Sequence, residues 1–183
     1  MSSGKNESTS KHDQALEFTE IFEKHFSRIY RYFYIRVGDN EVAHNLTSET
    51  FLRAFQHFAS FDNTYGRLEA WLFGIARNLL TDTFRRDARR TAKSHLADMP
   101  YQESQNPPEL KVMRVERLNE VKEAMEFLKP REREVLALKF GASLTNKEIA
   151  DLCGISIANA AVILHRTIKK LKALLIREGT EDE

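Results

Sequence analysis

The feature that most constrains this chain is the spacing of its apolar residues between Phe18 and Val37. Phe18, Phe22, Phe26, Ile29, Phe33 and Val37 follow one another in steps of three and four. That spacing is one face of a long helix; a strand would alternate its faces every second residue. Gly38 can end the helix in a left-handed conformation, and Asp39 can cap the next one. A second helix is predicted with Ala43, Leu46, Thr50, Ala54 and Phe58 on one stripe, flanked by Phe51 and Phe55. Asp62, Asn63 and Gly66 then break the period. A third helix carries Leu68, Trp71, Leu72, Ile75, Ala76, Leu79, Leu80 and Thr83, with Arg77, Asn78, Arg85 and Arg89 on its other face. No alternating run is long enough for a strand, and no segment repeats. The predicted class is all-α.

The pattern stops between residues 94 and 113. This stretch holds three of the four prolines and no helical stripe, so it reads as a flexible linker. Fifteen of the 18 aromatic residues precede it, so the two halves also differ in composition. Two small helical domains follow from this, an N-terminal bundle over 15–93 and a C-terminal domain over 114–177. Residues 1–14 read as a disordered tail because they lack apolar side chains to offset ordering entropy. Residues 178–183 read as an acidic tail.

Beyond the linker, Val115, Leu118, Val121, Met125 and Leu128 mark a short amphipathic helix. Pro130 suits the first turn of the next, which holds Val135, Leu136 and Leu138. Thr145-Asn-Lys-Glu148 fits a capping box, with Leu144 and Ile149 at the staple positions around it. Gly154 can take the left-handed cap, and Ser156 can cap the following helix. That helix offers Ala160, Leu164, Ile168, Leu171 and Leu175 to a core. A capped helix, a glycine turn and a longer helix with a basic end describe a helix-turn-helix. An ordinary antiparallel helix pair would share most of these signals.

Function classes narrow by what is missing. There is no P-loop, GxGxxG, HExxH or cysteine cluster, and the six histidines show no metal-ligand spacing. No catalytic residue, metal or cofactor is expected. The longest apolar run, Ala160 to Leu164, is far short of a membrane span. No apolar leader follows Met1, and the lone Cys153 cannot form an internal disulfide, so a cytoplasmic location is expected.

The formal net charge is only +1, but the cations are clustered. Arg85–Lys93 holds five basic residues and Arg166–Arg177 another five with no acid, which suggests two separate anionic contacts. Near the first cluster lies an aromatic loop, with Tyr65 beside Asp62, Asn63 and Arg67. Rings next to cations suit single-stranded DNA, whose unpaired bases stack while its phosphates pair with the cations. In the helix-turn-helix, Ser156, Asn159 and Arg166 point outward in this reading. Asn159 can contact adenine in two places, and Arg166, Lys169 and Lys170 can hold phosphates. Ala161, Val162 and Ile163 are expected to be exposed and apolar, suited to thymine methyls or to a protein partner.

Two motifs resemble a known family. Asn45-Leu-Thr-Ser-Glu-Thr-Phe-Leu-Arg-Ala-Phe55, followed by Trp71-Leu-Phe-Gly-Ile-Ala-Arg-Asn78, resembles the second conserved region of bacterial sigma factors. Leu128-Lys-Pro-Arg-Glu-Arg-Glu-Val-Leu136, with Lys147-Glu-Ile-Ala150, Gly154-Ile-Ser156 and Leu164-His-Arg166, resembles their fourth region. Two regions and a short linker are similar to the extracytoplasmic-function class of the sigma-70 family.

The resemblance implies a factor that binds core RNA polymerase and directs promoter recognition, −10 melting and initiation, without catalysing covalent chemistry. It implies docking on the clamp of the largest polymerase subunit through Asn45, Leu46, Ser48, Glu49 and Phe55. It implies capture of a melted −10 base by the loop from His57 to Arg67, including Asn63 and Tyr65. Arg77, Asn78, Arg85, Arg86 and Arg89 would hold nearby DNA. Ser156, Asn159, Val162 and Arg166, with Lys169 and Lys170, would read or grip the −35 duplex. An anti-sigma protein is the partner the family implies, with no membrane insertion. The family usually has an acid where Asn45 stands, glutamine where Ser48 stands, and Lys and Arg where Ala161 and Ile163 stand. A free-standing helix-turn-helix regulator and a sigma-like adaptor that does not read DNA are the alternatives.

Overall fold

A computed structural model describes the backbone of residues 4–61, 67–91, 121 and 123–178, and side chains over 14–61, 67–86, 121 and 123–176. Among the described residues all regular structure is helical. The N-terminal domain is three helices: α1 (Gly4–Val37), α2 (Asn40–Phe58) and α3 (Leu68–Thr91). The C-terminal domain has a helical turn over 123–126, then α4 (Pro130–Leu136), a π-helical segment (Ala137–Gly141), α5 (Asn146–Cys153) and α6 (Ile157–Glu178). No single helix among the described residues is long and apolar enough to cross a membrane. The linker expected over 94–113 lies outside the described residues.

Helix α1 starts at Gly4, so the stretch read as a tail over 1–14 is helical in backbone from that point. Nothing between Gly4 and Gln14 breaks a helix, and propagation is far easier than nucleation once the Phe18–Val37 face is packed. At its other end α1 stops as its sequence requires. Gly38 takes φ 69°, and its N–H donates to the Tyr34 carbonyl at 2.8 Å. The Asp39 carboxylate accepts from the Val42 N–H at 2.8 Å and caps α2.

The N-terminal core is aromatic. Phe18 meets the edges of Phe51, Phe55 and Phe58, with ring centroids 5.1–6.3 Å apart. Ile29, Tyr32, Phe33, Leu72 and Phe73 are fully buried. Burying each such side chain contributes about 1.5–3 kcal/mol. The C-terminal core is aliphatic, with Val135, Leu138, Leu144 and Ile149 at its centre.

These two cores are continuous. Buried residues from both domains form one cluster, and α1 packs along the π-helical segment. The widened turn is marked by Ala142 N–H donating to the Ala137 carbonyl five residues back, at 3.0 Å. The sequence predicts two domains joined by a flexible linker; in the structure the C-terminal domain packs against α1.

Candidate nucleic-acid and polymerase interface

Three surfaces carry the residues singled out by sequence. The first is one side of α2. Asn45, Ser48 and Phe55 are exposed there, and Glu49 pairs with Arg53 at 2.7 Å. Leu46 is different: it lies on the buried stripe, 7% exposed. Its position, three residues after Ala43 and four before Thr50, turns it toward α1. Sequence reasoning missed Val42 and Leu52, which are exposed apolar residues on this helix. Leu52 completes the face, because 45, 48, 52 and 55 are spaced by three and four. Both residues are out of phase with the core stripe, and that mismatch was the readable signal.

The second surface is α3 with the loop before it. Asn78, Arg85 and Arg86 are exposed. Arg85 lies 3.8 Å from Asp82, and Arg86 donates to the Thr83 hydroxyl at 3.3 Å. Asn63, Tyr65 and the side chain of Arg89 lie outside the described residues. Phe61 packs on Trp71 at 4.7 Å between centroids. Arg67 and Arg77 are not turned to solvent alone. Arg67 pairs with Glu148 at 3.0 Å, and Arg77 with Glu134 at 3.4 Å.

The third surface is the helix-turn-helix, whose local chemistry is as expected. The Thr145 hydroxyl accepts from the Glu148 N–H at 3.3 Å, and the Glu148 carboxylate accepts from the Thr145 N–H at 2.8 Å. That backbone hydrogen bond holds the Glu148 carboxyl below the usual glutamate range, and Arg67 adds to the effect. Leu144 and Ile149, the staple pair, are buried. Gly154 takes φ 63°, and Ser156 accepts from the Asn159 N–H at 3.1 Å. The two helices meet at 105°, within the range of the motif.

Ser156, Asn159, Val162, Arg166 and Lys169 are exposed and spaced by three or four, so one strip of α6 gathers five of the expected residues. Two expectations change. Ile163 packs against the core instead of joining an exposed apolar patch, because it falls between Ala160 and Thr167 on the buried side. Lys170 turns away from the strip, donating to the Phe127 carbonyl at 2.6 Å and pairing with Glu132 at 3.4 Å.

Comparison with known proteins gives a consistent picture. Residues 21–90 match the family model for Sigma-70 region 2, and residues 118–171 match Sigma-70, region 4. The chain is 32% identical over 169 residues to the ECF RNA polymerase sigma factor SigM of Bacillus subtilis, covering 90% of this chain and 98% of that one. It is 30% identical over 162 residues to the ECF RNA polymerase sigma factor BldN of Streptomyces coelicolor, spanning 88% of this chain and 61% of that one. The fold is similar to that of RpoE, solved in complex with the anti-sigma factor NepR from Bartonella quintana. The TM-score is 0.69 and the identity 22%, over 87% of this chain and 96% of that one.

Proposed function

The chain belongs to the sigma-70 family, in its extracytoplasmic-function class, and from that premise we propose that it is an alternative sigma factor. It binds core RNA polymerase, directs it to promoters and supports −10 melting and transcription initiation. The observation that carries this reading is the separation of two ordered, exposed faces. One is the mixed polar and apolar side of α2; the other is the polar and basic strip of α6.

In this reading Asn45, Ser48, Glu49, Leu52 and Phe55 dock on the clamp of the largest polymerase subunit. Exposed Leu52 and Phe55 lose apolar surface to water on docking, at roughly 25 cal/mol per Å². The strip of α6 enters the major groove of the −35 duplex. Asn159 and Val162 face base edges, and Arg166 and Lys169 hold phosphates. Asn63, Tyr65 and Arg67 take the melted −10 strand, with Asn78, Arg85, Arg86 and Arg89 along its backbone. The chain contributes binding free energy and no covalent chemistry, and it works in the cytoplasm. An anti-sigma protein is its regulator, by analogy with the RpoE–NepR pair. The working units are 15–93 and 114–177.

The test is transcription of a genomic fragment library by purified core polymerase, with and without this protein. New start sites sharing two spaced motifs are expected. Co-purification with polymerase but no new transcript points to an adaptor. Loss of both polymerase binding and transcripts overturns the reading.

A further inference from the structure

The outward face of α6 limits which bases that helix can specify. A recognition helix reads base edges with the residues of its N-terminal turns. From Ser156 to His165 there is no Arg, Lys, Asp or Glu, and the first cations of the helix are Arg166 and Lys169. Buried Ala160 and Thr167 mark the inward side of α6. Ala158, Asn159 and Val162 fall on the other side and are exposed, Val162 by 45%. Val162 lies three residues from Asn159 and four from Ala158, so the three side chains form one patch. The Asn159 N–H donates to the Ser156 hydroxyl at 3.1 Å, while its carboxamide has no partner among the described residues.

Each base pair presents its own pattern in the major groove. Guanine is held through O6 and N7 by Arg or Lys, and cytosine donates from N4 to Asp or Glu. Neither kind of side chain occurs in the reading turns. Adenine is held through N6 and N7 by Asn or Gln, and Asn159 supplies that group. Thymine carries a methyl group at C5, on which apolar side chains such as Ala158 and Val162 can pack. That contact also removes Val162, an exposed apolar side chain on a mostly polar strip, from water. Ser156 discriminates little, because its hydroxyl is engaged as the helix cap and hydroxyls serve more than one base. His165, one turn beyond Val162 and beside Arg166, falls with the cations that hold phosphates in the proposed function.

We propose that α6 is an A·T reader: Asn159 holds an adenine, and Val162, backed by Ala158, packs on the 5-methyl group of an adjoining thymine. The −35 element that this chain selects is then fixed by A·T pairs and tolerates change at any G·C pair. The inference rests on the sigma-factor reading and names the base chemistry of its duplex site. Specificity is carried by uncharged contacts, while Arg166 and Lys169 add affinity that is blind to sequence. A protein partner is the competing occupant of the same patch, and it predicts no response to a base methyl group.

The experiment uses holoenzyme assembled from core polymerase and the full chain, as wild type, Val162→Ala or Asn159→Ala. The template is the strongest promoter from the genomic library, randomised across its −35 element, and the transcribed templates are sequenced. The selected elements should share an adenine beside a thymine and no fixed guanine. Each −35 thymine is then replaced by deoxyuridine, which removes the methyl group alone. With wild type, one such replacement should lower transcription about fourfold, the worth of one buried methyl group. Val162→Ala should transcribe the thymine and deoxyuridine templates equally, and Asn159→Ala should lose about tenfold in its preference for the adenine. Both positions are exposed and alanine suits a helix, so both variants should keep the wild-type circular dichroism. A fixed guanine, no response to deoxyuridine, or a response that persists in Val162→Ala overturns the proposal. If no template is transcribed, the sigma reading falls instead. Duplex selected from a random pool by the chain alone then decides the A·T reading with the same substitutions, and a pool without enrichment overturns it as well.

Discussion

The two domains reach a stable helical core by different physical routes. The N-terminal domain uses length and rings: three helices of 34, 19 and 24 residues, with a row of phenylalanines between α1 and α2. The C-terminal domain places two short pieces, α4 with seven residues and α5 with eight, before the 22-residue α6. Helices that short are marginal alone, so they lean on caps, on a left-handed glycine and on the surface of α1. Half-capping continues at α4, where Glu132 accepts from the Lys129 N–H at 2.8 Å. That hydrogen bond lowers the Glu132 carboxyl below its usual range, with Lys170 adding to the shift. The lesson is that apolar area dominates in one domain and local backbone chemistry in the other.

The sharpest way to break this comparison is to remove a ring. Phe33 is fully buried, and Phe33→Ala should lower stability by about 3–5 kcal/mol. Because the cores are continuous, urea unfolding followed by Trp71 fluorescence and by far-ultraviolet circular dichroism should shift together. Two separated transitions would show that the domains unfold independently. A backbone change in the C-terminal domain should be milder. Gly154→Ala meets no atom within 4 Å, so only its φ of 63° opposes the methyl group. The expected loss is about 1–2 kcal/mol, read as a lower urea midpoint. Thr145→Ala removes the cap acceptor of α5 and should cost about 1 kcal/mol. If Thr145→Ala costs as much as Phe33→Ala, the contrast between the domains fails.

What was legible in the sequence divides along the same line. Periodicity identified α1 to α3, because each helix is long enough to repeat its pattern several times, but the stripe read along α1 is only partly the buried one: Phe22 is 38% exposed, and Ile21, His25 and Tyr32 are buried instead. Capping chemistry identified α5 and the turn at Gly154, because Thr145, Glu148 and Gly154 act over three or four residues. The strip Ser156, Asn159, Val162, Arg166 and Lys169 was also legible, as one helical face. Leu46 carries two expectations, a place on the core stripe with Ala43 and Thr50 from its spacing and a docking role from the family resemblance, and its burial fits the first. Glu134 and Gly141 were not legible at all. Nothing local tells that a glutamate between Arg133 and Val135 will be buried against Tyr32, 102 residues away. The π-helical turn was equally hidden, since its reason is the crossing with α1 and not its own sequence.

A smaller difference between the domains should appear on acidification. His25 lies on the α1 side of the contact, 1% exposed, with Arg28 Nη1 3.5 Å from its Nδ1. Burial lowers its basicity below the usual 6.5; Glu69 opposes this, while Arg28 and Lys24 push the same way. The unfolded chain therefore takes up this proton before the folded one. Stability is fully present above about pH 6.5 and is lost as pH falls from there through the folded value. The midpoint of thermal unfolding should drop between pH 7.5 and 5.5, and His25→Gln should flatten that drop. An equal drop in the variant would assign the effect to other groups.

The smallest expected effect is a gain, and it lies in the C-terminal domain. Ser143 is the one non-glycine residue with positive φ among the described residues, at 56°. An L side chain in that region costs about 1–2 kcal/mol. Glycine removes the strain but gives the unfolded chain more freedom, which takes back about 0.5–1 kcal/mol. Ser143 is exposed, so little packing is at stake. Ser143→Gly should therefore raise stability by under about 1 kcal/mol, as a higher urea midpoint with an unchanged slope. The pair Ser143→Gly and Gly154→Ala then brackets the comparison, because both act on one backbone dihedral with no core contact changed. Opposite signs at the two positions would show that backbone conformation, more than buried area, tunes this domain. A loss at Ser143 would mean that its side chain holds the crossing between the π-helical segment and α5.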